Sequence, residues 1–326
     1  MPAITQPVGN VRVAEKMTTT GSEERLAFEA LEVRIRTILP EEYRERYDDV
    51  APVSMGSAAL KYGRDGKVAW HDTWGTFCDL AMAGGPPHKG RILMPASQEE
   101  IDAEPERYRQ VVAEICRGIE MVAFLAAERS AAPGWVRVEC ETTTAAGWLA
   151  RAIVMENVSA RCEGTTLELP AGPAYRIDKE IKNVITAVAK TGHYWLDHTG
   201  VAQQRVIRDL FSAITAETPL IQPALVGHDF RYDADRKLRH SVAERILAGT
   251  GLNPWPAQCD GWLGVVCATV RAAIWMMRGL VVNNVFARRE DTVLFVPVNP
   301  VTDPFGDAVV QATCRVHGFA RMRGVL

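Results

Sequence analysis

Two stretches of this chain are near-copies of each other. Residues 134–170 read GWVRVECETTTAAGWLARAIVMENVSARCEGTTLELP, and residues 261–297 read GWLGVVCATVRAAIWMMRGLVVNNVFARREDTVLFVP. At an offset of 127 they align without a gap, and 18 of 37 positions are identical. Unrelated segments of that length would share about two positions, so a repeat governs what this chain can fold into. The likeness continues on both sides. RQVVAE from Arg109 matches RHSVAE from Arg239, and AVAKTGHYW from Ala187 resembles ATCRVHGFA from Ala312. Each half then spans roughly 90 to 110 residues, which suits a domain-sized lobe and is too long for a solenoid unit.

Each copy carries the same local signals. Val136, Val138 and Cys140 alternate with Arg137, Glu139 and Glu141, the pattern of a half-buried strand. Leu263, Val265 and Cys267 repeat the inward face. A helix follows over 143–156 and 270–283, with Thr142 and Thr269 placed as N-caps. A hairpin then turns at Glu163-Gly164 and near Glu290-Asp291. An amphipathic helix closes each half, over about 178–195 and 307–319, and another, about 106–128, precedes the first Gly-Trp. The expected architecture is α+β: two related α-β-α-β-β-α lobes with pseudo-two-fold symmetry. Outside them we expect a flexible tail over 1–22. Residues 23–104 should form N-terminal elements: a helix over 23–38, a hairpin turning at Asp65-Gly66, a helix over about 72–82, and the loop GGPPHKG. The first lobe is assigned to 105–217, and the linker and second lobe to 218–326, with the connection at about 218–235, where Pro219, Pro223 and Gly227 fall.

Composition excludes several classes. The 326 residues are 47% apolar and 24% charged, with a net charge of −3. That is ordinary for a globular protein and offers no broad basic field for nucleic acid. No apolar run approaches the roughly 20 residues that span a bilayer, and the N-terminal stretch to Glu24 lacks a signal-peptide core, so a cytoplasmic location is expected. Seven scattered cysteines fit reduced thiols better than a disulfide framework.

Five features carry potential chemistry. Arg151 and Arg278 stand alone in the otherwise apolar stretches AAGWLARAIVM and AAIWMMRGLVV, so both should be buried and paired. Glu163 and Glu290 are candidate structural partners, and a bound anion is the alternative. Cys140 and Cys267 sit where a strand meets a helix N-terminus, a position that favours thiolate, although small core residues would look the same. Their Cys-x-Thr pattern is similar to that of the aspartate/glutamate racemases, which are also duplicated α/β proteins. The likeness covers three residues per half, and the order of elements here departs from that family's alternating β/α order. His193, Asp197 and His198 lie together, and Cys314 and His317 form a second cluster, but no CxxC or HExxH is present and no metal site is assigned. The loop GGPPHKG presents His88 and Lys89 and serves either an active site or a rigid terminator.

The fifth feature is a stripe of Lys182, Asn183, Thr186, Lys190 and His193, which the second half replaces with Ala308, Gln311, Arg315 and Gly318 from Asn183 onwards. Glu156, followed by Asn157, likewise stands opposite Asn283. Fold requirements fall on both copies, so such differences are where function is expected. The expectation is an enzyme acting on a small anionic metabolite in a cleft between the lobes. Isomerase, lyase or transfer chemistry by acid/base catalysis fits, since there is no GxGxxG dinucleotide fingerprint. His193 or His88 would be the acid/base, and Lys182, Lys190, Arg151 and Arg278, with Glu156 and Asn157, would bind the substrate. The alternative is a non-catalytic ligand- or cofactor-binding module or an assembly subunit, consistent with eight tryptophans and ten methionines. The sequence names no cofactor, and homo-oligomerisation is compatible with it.

Overall fold

A computed structural model describes residues 9–45, 59–73, 79–223, 232–257 and 259–326, with backbone alone for 9–21 and 232–235. Helix α1 (Gly9–Ile38) is followed by short 3-10 turns, then α2 (Gln98–Ala103), α3 (Pro105–Ala123), β1 (Ala127–Arg129), β2 (Trp135–Glu139), α4 (Thr143–Met155), β3 (Arg161–Glu163), β4 (Thr166–Pro170), α5 (Lys182–Asp197) and α6 (Val201–Glu217). The second half contains α7 (Tyr232–Thr250), β5 (Trp262–Val266), α8 (Val270–Val281), β6 (Arg288–Glu290), β7 (Val293–Pro297) and α9 (Asp307–Arg323). The fold is mixed α+β with two antiparallel sheets, ordered β1-β2-β4-β3 and β5-β7-β6. No helix among the described residues is long and apolar enough to cross a membrane.

The repeated sequence folds the same way twice. Trp135 pairs with Pro170 and Glu139 with Thr166; 127 residues on, Trp262 pairs with Pro297 and Val266 with Val293. Thr142 caps α4 by accepting from the Ala145 amide at 3.1 Å, and Thr269 caps α8 from Ala272 at 3.0 Å. Each such cap stabilises its helix by about 1 kcal/mol. Beyond each helix an asparagine turns the chain in the left-handed region, Asn157 at φ 60° and Asn284 at φ 61°. Asparagine tolerates that conformation because its short amide can bond locally. Each half also receives a parallel bridge from an earlier segment, Leu93 with Val158 and Ile221 with Val285. Helix α5 packs on α3 and α4, as α9 packs on α7 and α8.

Helix α1 ties the halves together. The Trp148 indole donates to the Ile38 carbonyl at 2.9 Å, and its counterpart Trp275 donates to Glu32 at 3.1 Å. Both rings are fully buried. Burying a large apolar side chain stabilises by about 1.5–3 kcal/mol, and each indole N–H keeps a partner, so neither burial leaves an orphan donor.

Several expectations are corrected. Helix α1 starts at Gly9, inside the stretch read as a tail; residues 1–8 lie outside the described ones. In place of a helix over 72–82 there are 3-10 turns at Trp70–Asp72 and Ala81–Ala83, and residues 74–78 are outside the described ones. Helix α3 stops at Ala123, where Phe124 takes φ 55°, and the polar end of the expected helix becomes edge strand β1. Between Leu196 and Thr218 the sequence reading assigned no element, yet α6 lies there. The Asp65-Gly66 turn is present, with Gly66 at φ 75° and a Tyr62–Val68 bridge. Of the connection at 218–235, Gly227 falls outside the described residues.

Candidate functional site

The loop GGPPHKG and the turn before it are held by residues of both repeated segments. Where α4 ends, the Glu156 carboxylate is fully buried and accepts from the Ala81 amide at 2.9 Å, the His88 amide at 2.9 Å and the Lys190 ammonium at 2.9 Å. Asn157 donates to the carbonyls of Lys89 at 2.8 Å and Arg289 at 2.9 Å. From the second lobe, Arg278 donates to the Met82 carbonyl at 2.7 Å and Arg289 to Gly85 at 2.9 Å. Gly85 is required, since a Cβ there would lie 2.2 Å from the Asp79 carbonyl. Of the stripe on α5, Lys190 is 1% exposed and forms a buried ion pair, while Lys182, Asn183, Thr186 and His193 are partly exposed. In the second lobe Asn283 replaces Glu156 and turns back to its own helix, donating to Gly279 at 2.7 Å.

His88 sits inside this arrangement. Burial holds its imidazole below the usual value; Lys190 and Lys89 push the same way, while Glu156 and a hydrogen bond with Asn183 oppose. Its Nε2 is buried without a protein partner among the described residues. The ring is therefore neutral at pH 7. Lys182, at the start of α5, is half-buried, its pKa lowered by partial burial and opposed by Asp178.

Arg151 and Arg278 are both buried, at 4% and 2% exposure. Their expected carboxylates are not the partners found. Arg151 donates to the Gly147 carbonyl and to Asn284 of the second lobe, and lies 4.3 Å from the Phe211 ring centroid. Without a carboxylate beside it, burial depresses its pKa to about 10. Glu290 binds Arg288 instead, at 2.6 Å, and Glu163 is exposed at the hairpin turn. The thiolate expectation for Cys140 and Cys267 is likewise corrected. Both are core residues, and burial raises each thiol to about 12, outweighing the adjacent helix N-terminus.

The C-terminal end of α5 holds a second polar cluster. His193 Nδ1 meets Asp197 Oδ2 at 2.7 Å, one helical turn on. His198, just past the helix end, places Nδ1 2.8 Å from Glu42 Oε2. The two Nε2 atoms face each other at 3.1 Å. Beside them the Tyr194 hydroxyl bonds that of Tyr43 at 2.9 Å, and Tyr43 donates to Asp79 at 2.7 Å. Burial raises both phenols, so they stay protonated. The histidines are half-exposed, with side chains 38% and 33% accessible. Each imidazole is thus held by a carboxylate at Nδ1 and meets the other ring at Nε2, with about a third of each side chain open to solvent.

The sequence pointed to His88, Lys190, Glu156, Asn157 and Arg278, and these do converge on one loop. His193 turns to a different cluster, with His198 and Asp197. Glu42, Tyr43, Asp79 and Tyr194 were not anticipated; the first three come from segments with no repeat signal and meet α5 only through tertiary packing, while Tyr194 lies on α5 itself. Among the described residues no three His, Cys, Asp or Glu side chains form a metal-binding group. No known family, curated protein or solved structure matches this chain.

Proposed function

We propose that the chain arose by internal duplication, its lobes related by a pseudo-two-fold axis, and that one lobe then specialised. In this reading it is a cytoplasmic enzyme that moves a proton on a small anionic metabolite, in isomerase, lyase or transfer chemistry. The chemistry is assigned to His193 and His198. The observation that carries the reading is the Nε2 pair at 3.1 Å with each Nδ1 held by a carboxylate. A base oriented by a third group is the recurring arrangement for moving protons. The aligned positions of the second lobe support it: Gly318, Met322 and Arg323 stand where the first has His193, Asp197 and His198.

Lys190, Arg151 and Arg278 hold the scaffold, through Glu156, Asn284 and the Met82 carbonyl, so they are not assigned to the substrate. The test is deuterium uptake. The protein would be incubated in D2O with a panel of small carboxylates and phosphate esters, and carbon-bound protons followed by NMR. The reading expects at least one compound to exchange or turn over, and expects H193Q and H198Q to abolish that. Folded wild-type protein that exchanges none of them, or variants that retain the activity, would refute it.

A further inference from the structure

We propose that the His193–His198 pair binds a divalent transition-metal ion, of the imidazole-preferring kind such as Zn2+ or Co2+. The inference deepens the proposed reading of this same pair, because a metal-bound water would then be the proton-transfer group.

Three observations lead to it. The first is the hydrogen-bond pattern. Asp197 and Glu42 are acceptors for Nδ1–H, which leaves a lone pair on each Nε2. Two lone pairs at 3.1 Å repel unless a proton or a metal cation lies between them. An imidazole whose other ring nitrogen donates to a carboxylate is the usual form of a metal-ligating histidine, because that contact fixes the tautomer and raises ligand basicity.

The second is ring direction. An in-line N–H···N bond would put the ring centroids about 5.4 Å apart, adding about 1.1 Å per ring to the contact. Two rings aimed at one ion about 2.1 Å from each nitrogen would subtend about 95° and place their centroids about 4.8 Å apart. The observed centroid separation is 4.8 Å, with the planes at 77°. That separation is the one expected of two rings sharing an ion, and it also fits an N–H···N bond bent at its acceptor.

The third is charge. Glu42 and Asp197 flank the pair, and Asp79 is joined to it through Tyr43 and Tyr194. The nearby ammonium of Lys190 is taken by Glu156. A cluster of carboxylates repels an anionic substrate, and a divalent ion would reverse the local sign and polarise the substrate directly. With two protein ligands and half-exposed rings, water or substrate would complete the coordination, as in catalytic sites with open positions.

The test is metal binding by untagged, full-length, chelator-stripped protein. Zn2+ would be titrated by calorimetry with stoichiometry from native mass spectrometry, and Co2+ followed by visible absorption. We expect one ion per chain. H193Q and H198Q should weaken binding at least about tenfold, while E42Q and D197N, which keep both ligands, should weaken it about 10- to 100-fold. H71Q, at an exposed histidine elsewhere, should leave it unchanged. The E42Q change is on a surface side chain, so it reports even if a histidine variant fails to fold. No binding by the wild type, or binding unaltered in H193Q, H198Q and E42Q, would overturn the proposal. Deuterium exchange that persists in metal-free protein would overturn the metal's part in proton transfer and leave the proton-transfer reading standing. A bound ion without exchange on any compound would uphold the metal and refute that reading.

Discussion

The two halves of the chain share strand register, helix caps and left-handed turns at aligned residues, yet they treat polar groups differently. In the first, Glu156 and Lys190 form a buried ion pair that grips the loop carrying His88, and α5 ends in paired histidines. In the second, Asn283 bonds its own helix, and the positions of the histidine cluster hold Gly318, Met322 and Arg323. Even the cation–π contacts diverge. Arg161 lies over Trp135 and Arg288 over Trp262, but Arg161 is paired with Glu168 while Arg288 lies over Phe295, the aligned residue. The difference teaches that backbone geometry is what the two halves have in common and buried charge is where they differ.

The largest expected effect is on the ion pair. Lys190→Met leaves a buried carboxylate without its cation and should cost about 3–5 kcal/mol in urea unfolding. Asn283→Ala, at the position corresponding to Glu156, removes one hydrogen bond to a helix carbonyl and should cost about 1 kcal/mol. Equal losses would erase the distinction between the lobes. Next is the seam. Arg151→Met removes the donor to Asn284 and should destabilise by about 1–3 kcal/mol, since that acceptor stays buried. A variant as stable as wild type in the same assay would show that the contact contributes nothing.

A smaller effect concerns acid. Burial lowers the folded pKa of His88, and burial with Arg321 lowers that of His317 in the second lobe. An unfolded histidine titrates near about 6.5, so below that pH the unfolded chain binds protons that the folded one refuses. The stability these groups contribute is present above about pH 6.5 and is lost as pH falls toward their folded values. H88Q and H317Q should each flatten the acid limb of a stability–pH curve, and the double variant more than either. An unchanged limb in all three would place the acid sensitivity elsewhere.

What was legible in the sequence was local. Thr142 and Thr269, the Gly164 and Asp291 turns, and the inward faces of β2 and β5 follow from spacing within a few residues, and all are found. Helix α6 escaped because only Gln203, Ile207 and Ile214 are buried along it, too thin a stripe to mark a helix. Strand β1, Ala-Glu-Arg, is an edge with little to bury. Partners distant in sequence were not legible either. Arg151 was matched to a glutamate on its own hairpin, whereas its acceptor Asn284 lies 133 residues away in the other lobe. His198 finds Glu42 across 156 residues. The five-residue spacing from His193 is wrong for a continuous helix face, but α5 ends at Asp197, and the chain beyond it swings His198 back.

The central claim is that scaffold belongs to both lobes and chemistry to the first. It is tested most directly by measuring deuterium exchange and thermal unfolding on one sample of H193Q. His193 is half-exposed and its bond to Asp197 lies at the surface, where losing such a pair typically costs less than about 1 kcal/mol. The account predicts exchange activity abolished and a melting temperature within about 3 °C of wild type. Full activity in H193Q would contradict it, and so would loss of the fold, which would make His193 part of the scaffold.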